Sequence, residues 1–339
     1  MTISDGSQHR LQYIVEVTEG TTPGTPTFID FPHNGLTGRL AKDELVSQGL
    51  DADRQYGFVR HGNKQVGASI PFELAYGSHD AQLEAVLGGT WSAKVDTGAI
   101  TVDVAPSGSA ATFTRSSGDY TADPIVAGDV ITVTGFADAG GNGRFIATNV
   151  TATVITATPL EGQTVPTESG DADEQIIVDA SLENGTTRRS FSFEEYFADQ
   201  SNYIYSNGQN FSSVSLDISS GAIVNGVFTT IGKDVEDATG TQKSSTTNGA
   251  AGTAEPFDSF TGDIMENGSS LAIIQSLSLE LDNQMERRNV VFSNTTVQPS
   301  IRRFMLTGTV NAYFDSIKNN IRNAFLYTSE LADKVEFEQ

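Results

Sequence analysis

The chain contains no cysteine, which rules out disulfides, thiolate metal ligands and a cysteine nucleophile together. Histidine is scarce. The four present, His9, His33, His61 and His79, show no H-x-x-x-H metal spacing and none neighbours a serine elbow, so each is expected at a surface or turn position. Cations are the next deficit: 20 Lys and Arg face 43 Asp and Glu, and the net charge of -23 excludes Coulombic attraction to a nucleic-acid backbone as a working mechanism. No stretch approaches the roughly 20 apolar residues of a membrane helix, and the opening MTISDGSQHR lacks the apolar core of a secretion signal. The expectation is a protein made and kept in soluble form with no membrane partner. Apolar residues are also lean, at 37%, while Gly, Ser, Thr, Asn and Asp are plentiful, as a turn-rich, mainly β protein requires. Since single cores seldom outgrow ~250 residues, a chain of 339 predicts one principal domain with something appended or inserted.

Along the first third, an apolar run from Leu11 to Val17 precedes TEGTTPGTPT, whose prolines and glycines forbid a helix. Ile70, Phe72, Leu74 and Tyr76 then alternate with Ser69, Pro71, Glu73 and Ala75, the period of 2 of a half-buried strand, with Pro71 pointing to an edge or bulge. Ser78 is placed to cap one short helix carrying Leu83, Val86 and Leu87 and ended by Gly88 and Gly89. Residues 106–173 change texture to short Thr- and Val-rich strands, with AGGNGRF as a hairpin turn whose Gly and Asn supply positive φ, and are expected to form a small all-β insert. Strands resume in RRSFSFEEYF, YIYSNGQ and the alternating Val214, Leu216 and Ile218, the last forming a hairpin through SSGA into IVNGVFTTIG. Residues 233–259 carry little to bury and read as a long mobile loop. Leu271, Ile273, Leu277, Leu279 and Leu281 share a face of one strand, and Phe304, Leu306, Val310, Ala312 and Phe314 a face of another; Ile317, Ile321, Ala324 and Phe325 stand at helical spacing.

No residue pattern in the sequence points to a catalytic, cofactor or metal role. DADR at 51–54 and DADE at 171–174 lack the third ligand, central Gly and distant Glu of an EF-hand, so both read as solvated turns with a weak Ca²⁺ contact left open. Glu194 and Glu195 are adjacent, but strand geometry sends them to opposite faces, away from a glycosidase-like pairing. AGGNGR neither follows a buried parallel strand nor opens a helix, which removes a dinucleotide loop. Three arginine pairs, Arg188 and Arg189, Arg287 and Arg288, and Arg302 and Arg303, stand near strand starts. They read either as solvated strand ends or as partners for carboxylates of a neighbouring subunit.

Several stretches resemble the tail tube (major tail) proteins of siphophages. They are residues 13–91, YIVEVTEGTTPGTPTFIDFP through EAVLGGTW; residues 184–234, NGTTRRSFSFEEYF through VFTTIGKD; and IIQSLSLELDNQMERRNVVFSNTTVQPSIRRFMLTGTVNAYF, ending at Phe314. The run GDVITVTGF, GRFIATNV, TATVITAT is similar to small β modules inserted in such proteins. The resemblance implies a β-sandwich with one flanking helix that contributes a sheet to an inner β-barrel in a hexameric ring, with rings stacked head to tail. It divides the chain into a tube domain from 1–105 and 174–339 and a decorating insert. It implies that residues 41–64 are a long loop reaching an adjacent subunit, with Asp43, Glu44, Asp51, Asp53, Arg54 and Arg60 as candidate contacts. It further implies a virion tail component, made in the bacterial cytoplasm and without enzymatic activity or cofactor. Its partners would be itself, a tape-measure protein, a tail terminator and a distal tail or baseplate protein, with DNA passing through the lumen unbound. The competing reading is a carbohydrate-binding or adhesin-type β protein, which should display exposed aromatics; the insert offers only Phe113, Tyr120, Phe136 and Phe145. A secreted glycosidase or lyase is weaker still, for want of paired carboxylates.

Overall fold

The computed structural model describes residues 8–38, 40–49, 58–160, 162–243, 249–250, 252–260, 265–266, 269–270 and 274–313. The expected C-terminal helix, and Leu271, Ile273 and Phe314, lie outside them. In chain order the elements are β1 (His9–Val15), β2 (Ile29–Asp30), β3 (Leu40–Val46), β4 (Val59–Val66), β5 (Ser69–Glu73), α1 (Asp80–Leu87), β6 (Val95–Asp96), β7 (Val102–Ser107), β8 (Ala110–Arg115) and β9 (Val130–Thr134). There follow β10 (Gly143–Val150), β11 (Val154–Pro159), β12 (Gln175–Val178), β13 (Phe191–Phe197), β14 (Asn202–Ser219), β15 (Asn225–Ile231), β16 (Asp234–Val235), β17 (Met265–Glu266), β18 (Ser269–Ser270), β19 (Ile274–Asp282) and β20 (Met305–Ala312). The protein is mainly β, as expected, and divides into two compact units, one built on Thr90–Glu183 and the other on the flanking segments.

In the flanking-segment unit the 18-residue β14 is the spine. Its first half pairs with β13, which continues through β1 to β2; its second half pairs with β19 on that same edge and with β15 on the other. One strand thus serves two sheets, with a register shift between Phe211 and Ser213 where it changes partners, the way strands turn sandwich corners. β15 leads to β5 at one margin and β19 to β20 at the other. Pro71 sits on β5, the margin strand, where its missing N–H costs no ladder bond. The hairpin from β14 to β15 is as the alternation predicts, whereas the alternation of β5 stops at Phe72: Tyr76 is exposed and lies beyond the strand.

The core of this unit is aromatic. Phe28, Phe31, Phe72, Phe191, Phe193, Phe211 and Phe228 are buried, and Phe72 stacks on Phe228 at 4.3 Å. The helix α1 lies against β14, burying Leu83, Val86 and Leu87, and ends as expected on Gly88 at φ 65°. Its start differs from expectation. His79, not Ser78, holds the N-cap position and its side chain does not cap, because the ring is turned inward: fully buried, 4.5 Å from Phe72, with Nε2 donating to Pro32 O at 3.1 Å. The expectation of surface or turn positions holds for His61, which is exposed; His79 stands in the turn before α1 but with its ring buried, and His9 and His33 are half-buried. His33 Nδ1 donates to Phe31 O at 3.0 Å, leaving its Nε2 to accept from His9 Nδ1 at 2.9 Å, so three imidazoles fasten the single segment 31–33. Burial depresses His79 to about 4 and also lowers His33.

Segment 233–259 is fastened rather than loose at its described positions. Tyr203 and Thr239 exchange backbone hydrogen bonds, Asp30 N donates to Gly249 O, and Phe257 N donates to Leu74 O. Backbone bonds do here what its composition could not do by burial.

The other unit is a seven-stranded antiparallel sheet in the order β6-β12-β9-β10-β11-β8-β7, curled around Val104, Phe113, Tyr120, Ile131, Phe145, Ile155 and Ile176. The AGGNGRF connection does join a hairpin, β9 to β10, but through a turn of 3-10 helix at Ala139–Gly141. Positive φ falls on Gly135 and Gly143, and Asn142 acts through its side chain, which brackets the backbone N–H and C=O of Phe136.

Candidate functional site

The sheet β20-β19-β14-β15-β5 has two unlike faces. One carries Ile70, Phe72, Val214, Leu216, Phe228 and Leu281 into the core. The other, mostly polar and uncovered among the described residues, reads Ser69, Pro71 and Glu73 on β5, Asn225, Val227 and Thr229 on β15, Ser213, Ser215 and Asp217 on β14, Ser276, Ser278, Glu280 and Asp282 on β19, and Met305, Thr307, Thr309 and Asn311 on β20. Four carboxylates share it, and no Lys or Arg stands on these strand positions. Such a face can hold water and repel anions.

The same sheet runs out of cover toward its β20 margin. Leu277 faces Val310 and Leu281 faces Leu306, as the expected apolar stripes require, yet only Leu281 is buried and the others stay half-open. β20 pairs with β19 alone and leaves its outer edge of N–H and C=O groups without a strand partner among the described residues. The expected loop at 41–64 is instead a ribbon: β3 and β4 pair with each other, β4 is also held at its base, where Gly232 N donates to Val66 O at 2.9 Å and Lys64 N to Asn294 O at 2.7 Å, and Leu45, Val46, Phe58 and Val59 are all exposed. A two-stranded ribbon with both faces open is marginal by itself. Asp43 accepts from Gln65 Nε2 at 2.6 Å, Glu44 lies opposite His61 and Arg60 opposite Leu45; Asp51, Asp53 and Arg54 lie outside the described residues.

Some of the arginines converge. Arg188, Arg288 and Arg302 line one cleft of about 400 Å³ together with Leu87, Ile301 and Phe304. Arg188 donates to Pro299 O at 2.5 Å, and burial together with the nearby Arg288 charge works against its protonated form while Glu19 favours it. Arg189 pairs with Glu84 at 3.3 Å, Arg302 pairs with Glu286, and Arg287 donates to Val66 O at 2.6 Å, tying the base of the β3–β4 ribbon down. Arg288 and Arg303 have no ion-pair partner among the described residues.

Buried carboxylates escaped the sequence reading. Glu16 accepts from Gly20 N at 2.6 Å, Gly208 N at 2.9 Å, and Ser190 Oγ and Ser192 Oγ at 2.7 Å, so it clasps β13, β14 and the loop after β1. Glu194 and Glu195 point to opposite faces as expected, but both are buried, because β13 is covered on each side. In the 90–183 unit Asp171, Asp173 and Glu174 bring carboxylate oxygens within 4.8 Å of one another. The buried member, Glu174, already accepts from Val102 N at 3.1 Å and Asp171 N at 3.0 Å, so it serves the backbone; the Asp171 carboxyl is raised by the adjoining Asp173.

An uncovered sheet face, an open strand edge and a ribbon held at its base but exposed along its length are the surfaces left without cover among the described residues. The family model for phage tail tube proteins matches residues 6–332, and the chain belongs to that family. Its members are structural, generally non-enzymatic components that self-assemble in the virion tail. No curated protein matches the sequence.

Proposed function

We propose that copies of this chain close into hexameric rings that stack head to tail as the tube of a siphophage tail, and that the tube conducts viral DNA during ejection. The observation that carries the reading is the uncovered polar face bearing Glu73, Asp217, Glu280 and Asp282, continued to an open edge at β20. Sheets of neighbouring copies joined at that edge would turn this face to a common lumen, where carboxylates keep DNA moving because no phosphate contact forms and no counterion release rewards one. The ribbon at 40–66 reaches an adjacent copy, with Asp43, Glu44 and Arg60 among its charged contacts, and the arginine pairs meet carboxylates across the joint. The tape-measure protein, tail terminator and distal tail protein complete the tail, and the 90–183 unit decorates its outside.

Concentrated purified protein viewed by electron microscopy should show six-membered rings or hollow tubes, promoted by salt that screens the like charge of the subunits. Dispersed monomers at every salt concentration would sink the reading. In tubes built with Glu280→Lys, genome ejection should slow or stall while the tubes stay intact; unchanged ejection would remove the repulsive lumen.

A further inference from the structure

Copies carrying a net charge of -23 meet at least cost where the local charge departs from the average. It departs most at one place. Residues 286–303 hold four arginines, Arg287, Arg288, Arg302 and Arg303, against the single carboxylate Glu286. This segment is a loop between β19 and β20, closed at its base by Val297 N donating to Arg288 O at 2.9 Å, and its tip is apolar: Val290 is half-exposed, Val291 is 82% exposed and Phe292 is fully exposed. Phe292 also stands at φ 68°, in the left-handed region that a bulky side chain rarely adopts. Strain and a fully wetted ring are two costs at one residue, and nothing within the described chain offsets them.

The opposite end of the same strands is the counterpart. β14 runs from Ser213, beside Asp282 and the base of the loop, to Ser219, about 20 Å away at the rise of an extended strand. There Tyr76, Ile223, Phe257 and Phe260 are exposed, Phe260 at 77%. They are held together by Val224 N donating to Phe257 O at 2.8 Å and Phe257 N donating to Leu74 O at 2.8 Å. The accompanying charges are Glu73, Glu255 and Asp258, and segments 67–93, 217–231 and 249–260 contain no Lys or Arg. One end of the sheet is therefore apolar and cationic and the other apolar and anionic.

We infer that the Val290–Phe292 tip of one copy docks on the Tyr76, Ile223, Phe257 and Phe260 end of the next, with Arg288 and Arg303 meeting its carboxylates. The contact uses two different patches, so it does not close on itself and gives the stack a direction. This rests on the tube reading above and assigns the residues of the joint between rings.

The test uses full-length protein with light scattering and electron microscopy. Phe292→Asp should leave circular dichroism unchanged and the melting temperature no lower, since the ring packs on nothing within the described chain and Asp accepts the left-handed φ more readily than Phe, and should raise the concentration needed for stacking roughly tenfold or more while rings still form. Two further variants fix the direction. Arg288→Glu with Arg303→Glu removes the cationic tip, and Phe257→Asp with Phe260→Asp strips the other end of its apolar surface while keeping it anionic, so that the two altered patches repel each other; each alone should stop at single rings. Mixed, they should give double rings and no tubes, because only one of the two joints is intact. If the wild type builds neither rings nor tubes, the tube reading fails and the joint with it. If the wild type builds tubes and Phe292→Asp builds them equally well, or the folded variants stay inert when mixed, the joint alone is overturned. Flotation with anionic vesicles that depends on Phe292, beside unaffected stacking, would assign the tip to a membrane surface and likewise overturn it.

Discussion

Replacing His79 with Gln should remove an acid sensitivity that the fold builds into its aromatic core. His79 is fully buried against Phe72, Phe31 and Phe228, and burial holds it at about 4 in place of its ordinary 6.5. The sign follows from which state takes the proton. Above pH 6.5 both states carry a neutral ring and the group contributes no pH dependence; as pH falls below 6.5 the unfolded chain gains a proton that the folded chain refuses, until about pH 4. Over that window of about 2.5 pH units, at 1.36 kcal/mol each, the wild type loses roughly 3 kcal/mol. A domain holding only ~5–15 kcal/mol in all feels this strongly. Gln keeps a donor for Pro32 O but cannot titrate. Urea denaturation midpoints at half-unit steps from pH 7.5 to 4 should therefore show the wild type falling more steeply than the variant, although the variant starts lower for its lost ring contacts. Common carboxylate effects cancel in the difference. Parallel curves across that window would refute the assignment of a neutral, buried His79.

Glu16→Ala leaves two serine hydroxyls and two backbone N–H groups facing a void and should cost about 3–5 kcal/mol, seen as a shifted denaturation midpoint. Gly135→Ala would bring a methyl within 2.6 Å of Asp173 O and Glu174 Cα at φ 107°, and should destabilise the 90–183 unit by about 1–3 kcal/mol, read by hydrogen exchange at Ile131 and Val133. Excision of 90–183 should be tolerated. Its two ends are held by Gly185 N donating to Leu87 O at 2.9 Å and Thr187 N to Gly88 O at 2.8 Å, so a two-residue bridge suffices; loss of cooperative melting in the shortened chain would count against this.

Legibility tracked burial on one face. β14, β15 and β5 could be read because Val214, Leu216, Phe228, Ile70 and Phe72 alternate with residues that are polar at most positions, and that other half of the alternation is the uncovered face itself. Where a strand is covered on both sides the alternation gives no sign of it: in FSFEEYF, Glu194 and Glu195 point to opposite faces and both are buried. Where neither side is covered it vanishes, and β3 and β4 read as loop because Leu45 and Phe58 answer to no core within the chain. His79 and Glu16 were illegible for a third reason. Their partners, Pro32 O and Gly208 N, are brought to them by tertiary structure, and no local spacing announces such a meeting.

The long strand β14 has a mechanical consequence. Hydrogen-bonded along one edge first to β13 and then to β19, and along the other to β15, it spans about 60 Å of contour at strand rise. Tension applied along its length loads those ladders in shear, so their bonds must fail together instead of peeling one at a time. A wall built around such strands resists stretching along them far better than it resists bending across them.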